Sequence, residues 1–193
     1  MTANTSQGLV PAHACAYPSR VIVSPTAGRR ELYVACGAFQ FGGSAQAGNV
    51  AGVSLNAGNN VTYYTDFASC PNPSDLAWDP VGVRLIASCG GTNWDMEPFP
   101  IVIALQITEA GQVVKQTLAD SRQCWRAASV AVSSSGTIYV TCSNGAFAID
   151  TVGAINRIVL NWDFMGQAVT VAPSARSDRA LRAKSMVSTC AGH

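Results

Sequence analysis

The chain has 193 residues, of which 48% are apolar and 12% are charged, and its formal net charge at pH 7 is +1. This length allows one domain or two small ones, and the apolar fraction is sufficient for a sizeable core. A net charge so close to zero gives no electrostatic case for binding nucleic acid or an anionic membrane. The longest apolar run, residues 99–107, is too short to cross a bilayer and contains Pro100, so we expect no membrane span.

Six of the seven cysteines form three pairs, and equivalent members of the pairs recur about every 54 residues. Each pair encloses a short apolar run, a turn and a second apolar run, which is typical of a β-hairpin. Residues equidistant from a hairpin turn face each other across an antiparallel ladder, with Cα atoms roughly 4.5–5.5 Å apart. A disulfide accepts that distance. We therefore predict three disulfides: Cys15–Cys36, Cys70–Cys89 and Cys124–Cys142.

Two more strands are predicted after each hairpin, separated by turn residues. These strands cover 49–55 and 61–67 in the first unit, 101–107 and 113–118 in the second, and 146–150 and 157–160 in the third, followed by 168–171. Four antiparallel strands in about fifty residues make a propeller blade. We predict an all-β fold of β-propeller-like, disulfide-stapled, four-stranded antiparallel blades, about three per chain. An extracellular β-sandwich is the alternative, but it does not explain the equal intervals.

We expect a single repeat domain over residues 1–193, with units at approximately 15–69, 70–123 and 124–189. Residues 1–14 and 190–193 are then parts of incomplete flanking blades, and only residues 174–187 have a helical composition. Cys190 resembles the first cysteine of a further unit and is a candidate intermolecular thiol. Three blades are fewer than the usual four to eight of a closed ring. We therefore expect a homo-oligomer or polymer, or the continuation of a larger propeller chain.

Disulfides persist in oxidising compartments, which predicts an extracellular or cell-surface location. The first residues lack the basic and apolar regions of a secretory signal, so either a leader has been removed, or this is a piece of a longer chain, or the predicted location is wrong. Two Asn-x-Ser/Thr sequons, at Asn4 and Asn60, are candidate glycosylation sites. Asn60 is the better candidate because Gly58 and Asn59 indicate an exposed turn.

Two strands have a further resemblance. Residues 32–36, Leu-Tyr-Val-Ala-Cys, and residues 138–142, Ile-Tyr-Val-Thr-Cys, resemble the strand that names the Tyr-Val-Thr-Asn (YVTN/NHL-like) family of β-propeller repeats. The preceding turns, Val-Ser-Pro at 23–25 and Trp-Asp-Pro at 78–80, match as well, although Cys replaces the family's Asn. The resemblance implies a propeller fold and transfers no catalytic residues.

No catalytic set is evident in the sequence. The two histidines, His13 and His193, lie near the chain ends, and the carboxylates are scattered over different units: Asp75, Asp79, Asp95, Glu97, Asp120, Asp150 and Asp163. Asp79 and Asp150 are expected to accept hydrogen bonds within their own turns. Asp95 and Glu97 are the one compact acidic pair, and two carboxylates are too few for a calcium site. We therefore expect no catalytic residue, no metal and no cofactor.

Aromatic residues in the loops after the second strand of a hairpin are candidates for ligand binding or for an interface. They are Phe39, Phe41, Trp94 and Phe99. Exposed aromatics stack on sugars or anchor an interface. The other interpretation is that they cover the core between blades.

The function predicted from these features is that of a secreted, non-catalytic structural or interaction protein. It would self-associate as a β-propeller-like module in a cell-surface or extracellular fibre or matrix. A carbohydrate-binding propeller lectin, with glycans as partners of the loop aromatics, is the alternative. A propeller hydrolase or lactonase with a carboxylate-bound metal is the third hypothesis.

Overall fold

The computed structural model describes residues 15, 17–25, 31–37, 39–41, 44–46, 48–55, 60–65, 69–70, 72–90, 99–108 and 112–159. These residues form three four-stranded antiparallel sheets and one two-stranded hairpin. Blade 1 contains β1 (Tyr17–Val23), β2 (Glu31–Gly37), β5 (Asn49–Ser54) and β6 (Asn60–Tyr63), with the hairpin β3 (Phe39–Phe41) and β4 (Ser44–Gln46) inserted between β2 and β5. Blade 2 contains β7 (Pro73–Asp79), β8 (Arg84–Cys89), β9 (Pro100–Ile107) and β10 (Val113–Asp120). Blade 3 contains β11 (Ala127–Val132), β12 (Ile138–Cys142), β13 (Gly145–Ile149) and β14 (Ile155–Val159).

Each sheet follows the chain order, so the first strand lies at one edge and the last strand at the other. The first strands of the three blades, β1, β7 and β11, contact one another in sequence. They therefore form the inner edge, around the axis where a propeller has its channel. The last strand of blade 2, β10, is mostly exposed at the outer edge.

The central strands contain runs of buried residues where neighbouring blades pack against them. In β9, five consecutive residues from Ile101 to Leu105 are buried. An uninterrupted short run of this kind is typical of a fully buried strand, whereas a half-exposed strand alternates apolar and polar residues. One apolar cluster joins blade 1 to blade 2 and includes Tyr33, Leu76 and Leu85. A second cluster joins blade 2 to blade 3 and includes Ile86, Val130 and Phe147.

The three predicted disulfides are present, with Cα–Cα distances of 5.1, 5.2 and 5.5 Å. The geometric reason given for them was wrong. The residues that face the second cysteines across the ladder are Pro18, Pro73 and Ala127, each three residues after the first cysteine. The hairpins are centred two residues further along the chain than the midpoints of the cysteine pairs, since the ladder pairs nearest the turns are Val23–Leu32, Asp79–Arg84 and Val132–Ile138. A β-bulge also leaves one residue of each first strand unpaired. The first cysteine instead fastens the segment that enters the blade.

The all-β, propeller-like fold and the four strands of each unit are confirmed, while several details differ. The predicted strand at 61–67 is β6, which ends at Tyr63, and residues 39–46 contain the β3–β4 hairpin, which was not predicted. Within the described ranges, no helix is long and apolar enough to span a membrane. The expectations for residues 1–14, 168–171 and 174–193, including Cys190 and both histidines, lie outside the described residues.

Candidate functional site

The bulges occur at equivalent positions in the three innermost strands. The unpaired residues are Ser19, Ser74 and Ala128, each the fourth residue after the first cysteine of its unit. The Ser19 hydroxyl donates to the Pro73 carbonyl oxygen at 3.3 Å, and the Ser74 hydroxyl donates to the Ala127 carbonyl oxygen at 2.8 Å. Each bulge serine is therefore bonded to the next blade. Bulges are frequent next to active sites because they redirect side chains.

The residues directly after the bulges, Arg20, Asp75 and Ser129, meet across the three blades. The Ser129 hydroxyl donates to Asp75 Oδ2 at 2.7 Å, and the Val130 amide donates to the same oxygen at 3.1 Å. Asp75 Oδ1 accepts the Leu76 amide at 2.9 Å and lies 3.4 Å from Arg20 Nε. We call the side chains of Arg20, Asp75 and Ser129 the inner-strand triad.

Asp75 and Arg20 differ in how far their hydrogen-bonding capacity is used. A carboxylate has about four acceptor positions, and four donors of the protein approach Asp75. Its side chain is 14% exposed, whereas the side chain of Arg20 is 57% exposed. Among the described residues, the ion pair with Asp75 is the one side-chain contact of the Arg20 guanidinium. Asp75 therefore holds the triad together, and Arg20 offers further donors to a ligand.

The segment that enters β11 lies close to this triad in the chain and has a strained backbone. Arg126 has a φ of 52°, a region that few residues other than glycine adopt. Its guanidinium lies 5.5 Å from the centre of the Trp125 ring, within range of a cation–π contact. The Trp125 amide donates to Asn144 Oδ1 at 3.0 Å, which fixes this segment against the β12–β13 turn. Backbone strain of this kind often accompanies functional sites.

The other carboxylates in the described part of the chain have structural partners. Asp79 is buried and accepts the amides of Val81 and Gly82, both at 3.0 Å, as well as Arg84 Nε at 2.8 Å. Asp150 accepts the amides of Val152 and Ala154 at 3.0 and 2.8 Å. Both aspartates thus stabilise their own turns, as expected.

Asp120 lies at the end of the outer strand of blade 2. A hydrogen bond from Arg122 lowers the pKa of Asp120 below its ordinary value of 3.8. The Arg122 side chain is 69% exposed and that of Asp120 is 16% exposed, and the pair lies at the edge opposite the innermost strand. It forms a local surface contact and has no place in the triad.

A second polar cluster lies at the other end of the blade 1–blade 2 junction. The hydroxyls of Tyr33 and Tyr64 both donate to the Glu31 carboxylate, and the Tyr33 ring stacks on Trp78 of blade 2 with centres 6.3 Å apart. A Cβ atom on Gly52 would overlap the Tyr64 hydroxyl. Tyr33 and Tyr64 are buried, so this cluster packs the two blades together rather than facing a ligand.

Of the sequence-predicted site residues that the structure describes, none is a member of the triad. Phe99 is half-buried against the cluster between blades 2 and 3, which agrees with a role in covering the core. Phe39 and Phe41 lie in strand β3, and Asn60 is exposed at the start of β6. Trp94, Asn4 and Cys190 lie outside the described residues. Glycosylation, ligand binding by the aromatics and the role of Cys190 stay predictions.

No group of three or more His, Cys, Asp or Glu side chains that could hold a metal ion occurs among the described residues. Asp75, the carboxylate of the triad, already has four protein donors around it. The described residues therefore do not fit the carboxylate-bound metal of the third hypothesis.

The fold is shared with solved propeller structures. A gluconolactonase from Xanthomonas campestris, described as important in glucose secondary metabolic pathways, superimposes with a TM-score of 0.55 at 14% identity, over 74% of this chain and 46% of its own. A proposed gluconolactonase superimposes with a TM-score of 0.53 at 15% identity, over 75% of this chain and 48% of its own. The extracellular domain of a proposed one-component system from B. thetaiotaomicron has a TM-score of 0.50 at 9% identity, over 81% of this chain and 19% of its own.

The chain covers less than half the length of each of these three structures. No protein-family model matches the sequence, and no curated protein matches it. At these identities, the likeness shows the fold: three blades of a propeller. The three disulfides and the extracellular neighbour are consistent with an extracellular location.

These neighbours contradict the predicted function. A non-catalytic, self-associating structural protein was expected because no catalytic set was evident, but two propellers with this arrangement of blades are named as gluconolactonases. The expectation treated carboxylates in different units as distant from one another. In a propeller, equivalent residues of successive blades meet at the inner strands, as Asp75 and Ser129 do across 54 residues of sequence.

Proposed function

We propose that this chain forms part of a propeller hydrolase that opens a lactone ring. The observation that supports the proposal is the polar inner-strand triad, in a fold shared with two proteins named as gluconolactonases. In the proposed reaction, water adds to the lactone carbonyl carbon and the bond from that carbon to the ring oxygen breaks. The ring oxygen takes up a proton, and the product is a hydroxy acid.

The described residues take part in this reaction by binding and orienting the substrate. Asp75 holds the side chains of Arg20 and Ser129 in position across the three blades. Arg20, whose side chain is more than half exposed, then donates its remaining N–H groups to the substrate. Asp75 accepts three hydrogen bonds from the protein and pairs with Arg20, so we assign it as a positioning residue and not as a general base. The further blades of the ring, from a second copy or from a longer chain, complete the site in this proposal.

The test is the hydrolysis of gluconolactone by the disulfide-bonded protein, followed as acid release at constant pH. We expect catalysed hydrolysis, and we expect Asp75→Asn to lower kcat/KM about 10- to 100-fold, since a lost hydrogen bond to a charged group is worth roughly 1.5–3 kcal/mol. Asp120→Asn, which removes the charge of a similarly buried carboxylate at the outer edge of the same blade, is the matched control and should keep the wild-type rate. Acid release no faster than in buffer alone would refute the proposal.

A further inference from the structure

The three equivalent positions behind the bulges carry a cation, an anion and a neutral hydroxyl, and they are not used equally. The Ser129 hydroxyl donates to Asp75, and Asp75 receives four donors. Arg20 has five N–H donors, and Asp75 approaches its Nε. The N–H groups of Arg20 that Asp75 does not contact are therefore the part of the triad that can bind a ligand, as positively charged hydrogen-bond donors.

The position of Arg20 suits a planar, negatively charged group. Asp75 lies 3.4 Å from Nε of the guanidinium, and an arginine has four more N–H groups on its terminal nitrogens. Two parallel N–H groups of an arginine match the two oxygens of a carboxylate. More than half of the Arg20 side chain is accessible, so a ligand can reach it without displacing the protein.

We infer that Arg20 binds a carboxylate carried by the substrate in addition to its lactone group. The preferred substrate is then the lactone of a sugar diacid rather than a neutral aldonolactone. This inference depends on the proposed lactonase function, because it names the substrate class of the same site. Asp75 orients Arg20 and offsets part of its positive charge, so that the site binds a single carboxylate.

The distinguishing experiment compares two lactones, neutral gluconolactone and glucarolactone, which carries a free carboxylate. We expect kcat/KM to favour glucarolactone in the wild type. Arg20→Gln should lower the ratio of kcat/KM for glucarolactone to kcat/KM for gluconolactone about 10- to 100-fold, as a charged hydrogen-bonded pair is lost with the carboxylate substrate alone. Arg20→Lys keeps the positive charge but lacks the two parallel N–H groups of an arginine, so it should recover part of the loss.

Arg122→Gln is the matched control, because Arg122 is an exposed arginine at the outer edge of blade 2. It should leave the preference between the two lactones unchanged. Thermal melting of each variant verifies the fold, and an exposed side chain such as Arg20 is expected to alter it little.

The two proposals fail in different ways. Equal hydrolysis of both lactones, with no effect of Arg20→Gln on their ratio, would overturn the inference and leave the lactonase function in place. Hydrolysis of neither lactone would refute the lactonase function. In that case calorimetric titration with glucarate, the open diacid, decides the inference: binding that Arg20→Gln abolishes supports it, and the absence of binding overturns it.

Discussion

The two blade junctions use the same repeat positions and yet differ in how tightly their inner strands are joined. Between blades 2 and 3, Ser74 bonds to the next strand at 2.8 Å and Asp75 bonds to Ser129 at 2.7 Å. Between blades 1 and 2, the corresponding distances are 3.3 Å from Ser19 to Pro73 and 3.4 Å from Arg20 to Asp75.

The difference follows from the side chains and not from the backbone, since all three inner strands have the same bulge. The hydroxyl of a short serine side chain reaches the neighbouring carboxylate only where the two inner strands pack closely, and its O–H donor is used in that contact. A long arginine reaches the carboxylate from a half-solvated position and retains donors. One junction is thus closed by a hydrogen bond from the neutral Ser129 to the Asp75 carboxylate, while at the other Arg20 keeps donors that face solvent.

The largest expected effect comes from the disulfides. Removing Cys70–Cys89 by a double change to alanine should lower the free energy of unfolding by about 3 kcal/mol, as should removing Cys124–Cys142, because each closes a loop of similar length. The location of the damage should differ, since the first pair lies in the cluster between blades 1 and 2 and the second in the cluster between blades 2 and 3. Hydrogen exchange by strand would show this, and identical exchange patterns in the two variants would contradict it.

A smaller effect is expected from an added methyl group in the polar cluster of Glu31, Tyr33 and Tyr64 at the blade 1–blade 2 junction. Gly52→Ala would place Cβ against Tyr64 and 2.6 Å from a Glu31 carboxylate oxygen, which we expect to destabilise the fold by about 1–3 kcal/mol. Gly90→Ala is the milder control, because its Cβ would lie 3.2 Å from the Ala127 carbonyl oxygen at the other junction. Chemical denaturation measures both, and an equal cost for the two changes would count against the tight packing around Gly52.

The Arg20–Asp75 pair should contribute less. A double-mutant cycle with Arg20→Gln and Asp75→Asn is expected to give a coupling energy below about 1 kcal/mol, because more than half of the arginine side chain is in solvent. A coupling of several kcal/mol would mean that Arg20 is locked in the protein and is not available to a ligand.

The smallest effect concerns Asp120. Since Arg122 lowers the pKa of Asp120, the pair adds stability above the ordinary carboxyl pKa of 3.8 and loses that contribution as the pH falls through the lower folded-state value. Arg122→Gln should therefore lower the stability slightly above the ordinary carboxyl pKa, including at neutral pH, and the two stability curves should converge as the pH falls, so that the acid side of the variant's curve is flatter. Urea unfolding between about pH 2 and 6 measures the difference. A free energy of unfolding that falls more steeply with falling pH in the variant than in the wild type would contradict this prediction.

The sequence predicted the disulfide pairs and the four strands per unit, because cysteine spacing, turn residues and apolar runs are local signals. The bulges at Ser19, Ser74 and Ala128 could not be found in this way, since a bulge depends on packing between blades rather than on residue type. The β3–β4 hairpin was missed because Gly42 and Gly43 made the whole segment resemble a loop.

The triad had a signal in the sequence that was not used. Arg20, Asp75 and Ser129 are each the fifth residue after the first cysteine of their unit. In a propeller, equivalent positions of neighbouring blades lie side by side, so aligning the units by their cysteines would have brought these residues together. Which of them faces a ligand could not be inferred, because that depends on exposure and on hydrogen-bond partners.

The most direct test is a double-mutant cycle between Asp75 and Ser129, which lie 54 residues apart in sequence. With Asp75→Asn and Ser129→Ala, we expect a coupling energy of about 1–2 kcal/mol, because the hydroxyl donates to a largely buried carboxylate. The same cycle between Asp75 and Ser135, an exposed turn serine, should give no coupling. Zero coupling between Asp75 and Ser129 would contradict the meeting of the inner strands from which the site and its proposed function are derived.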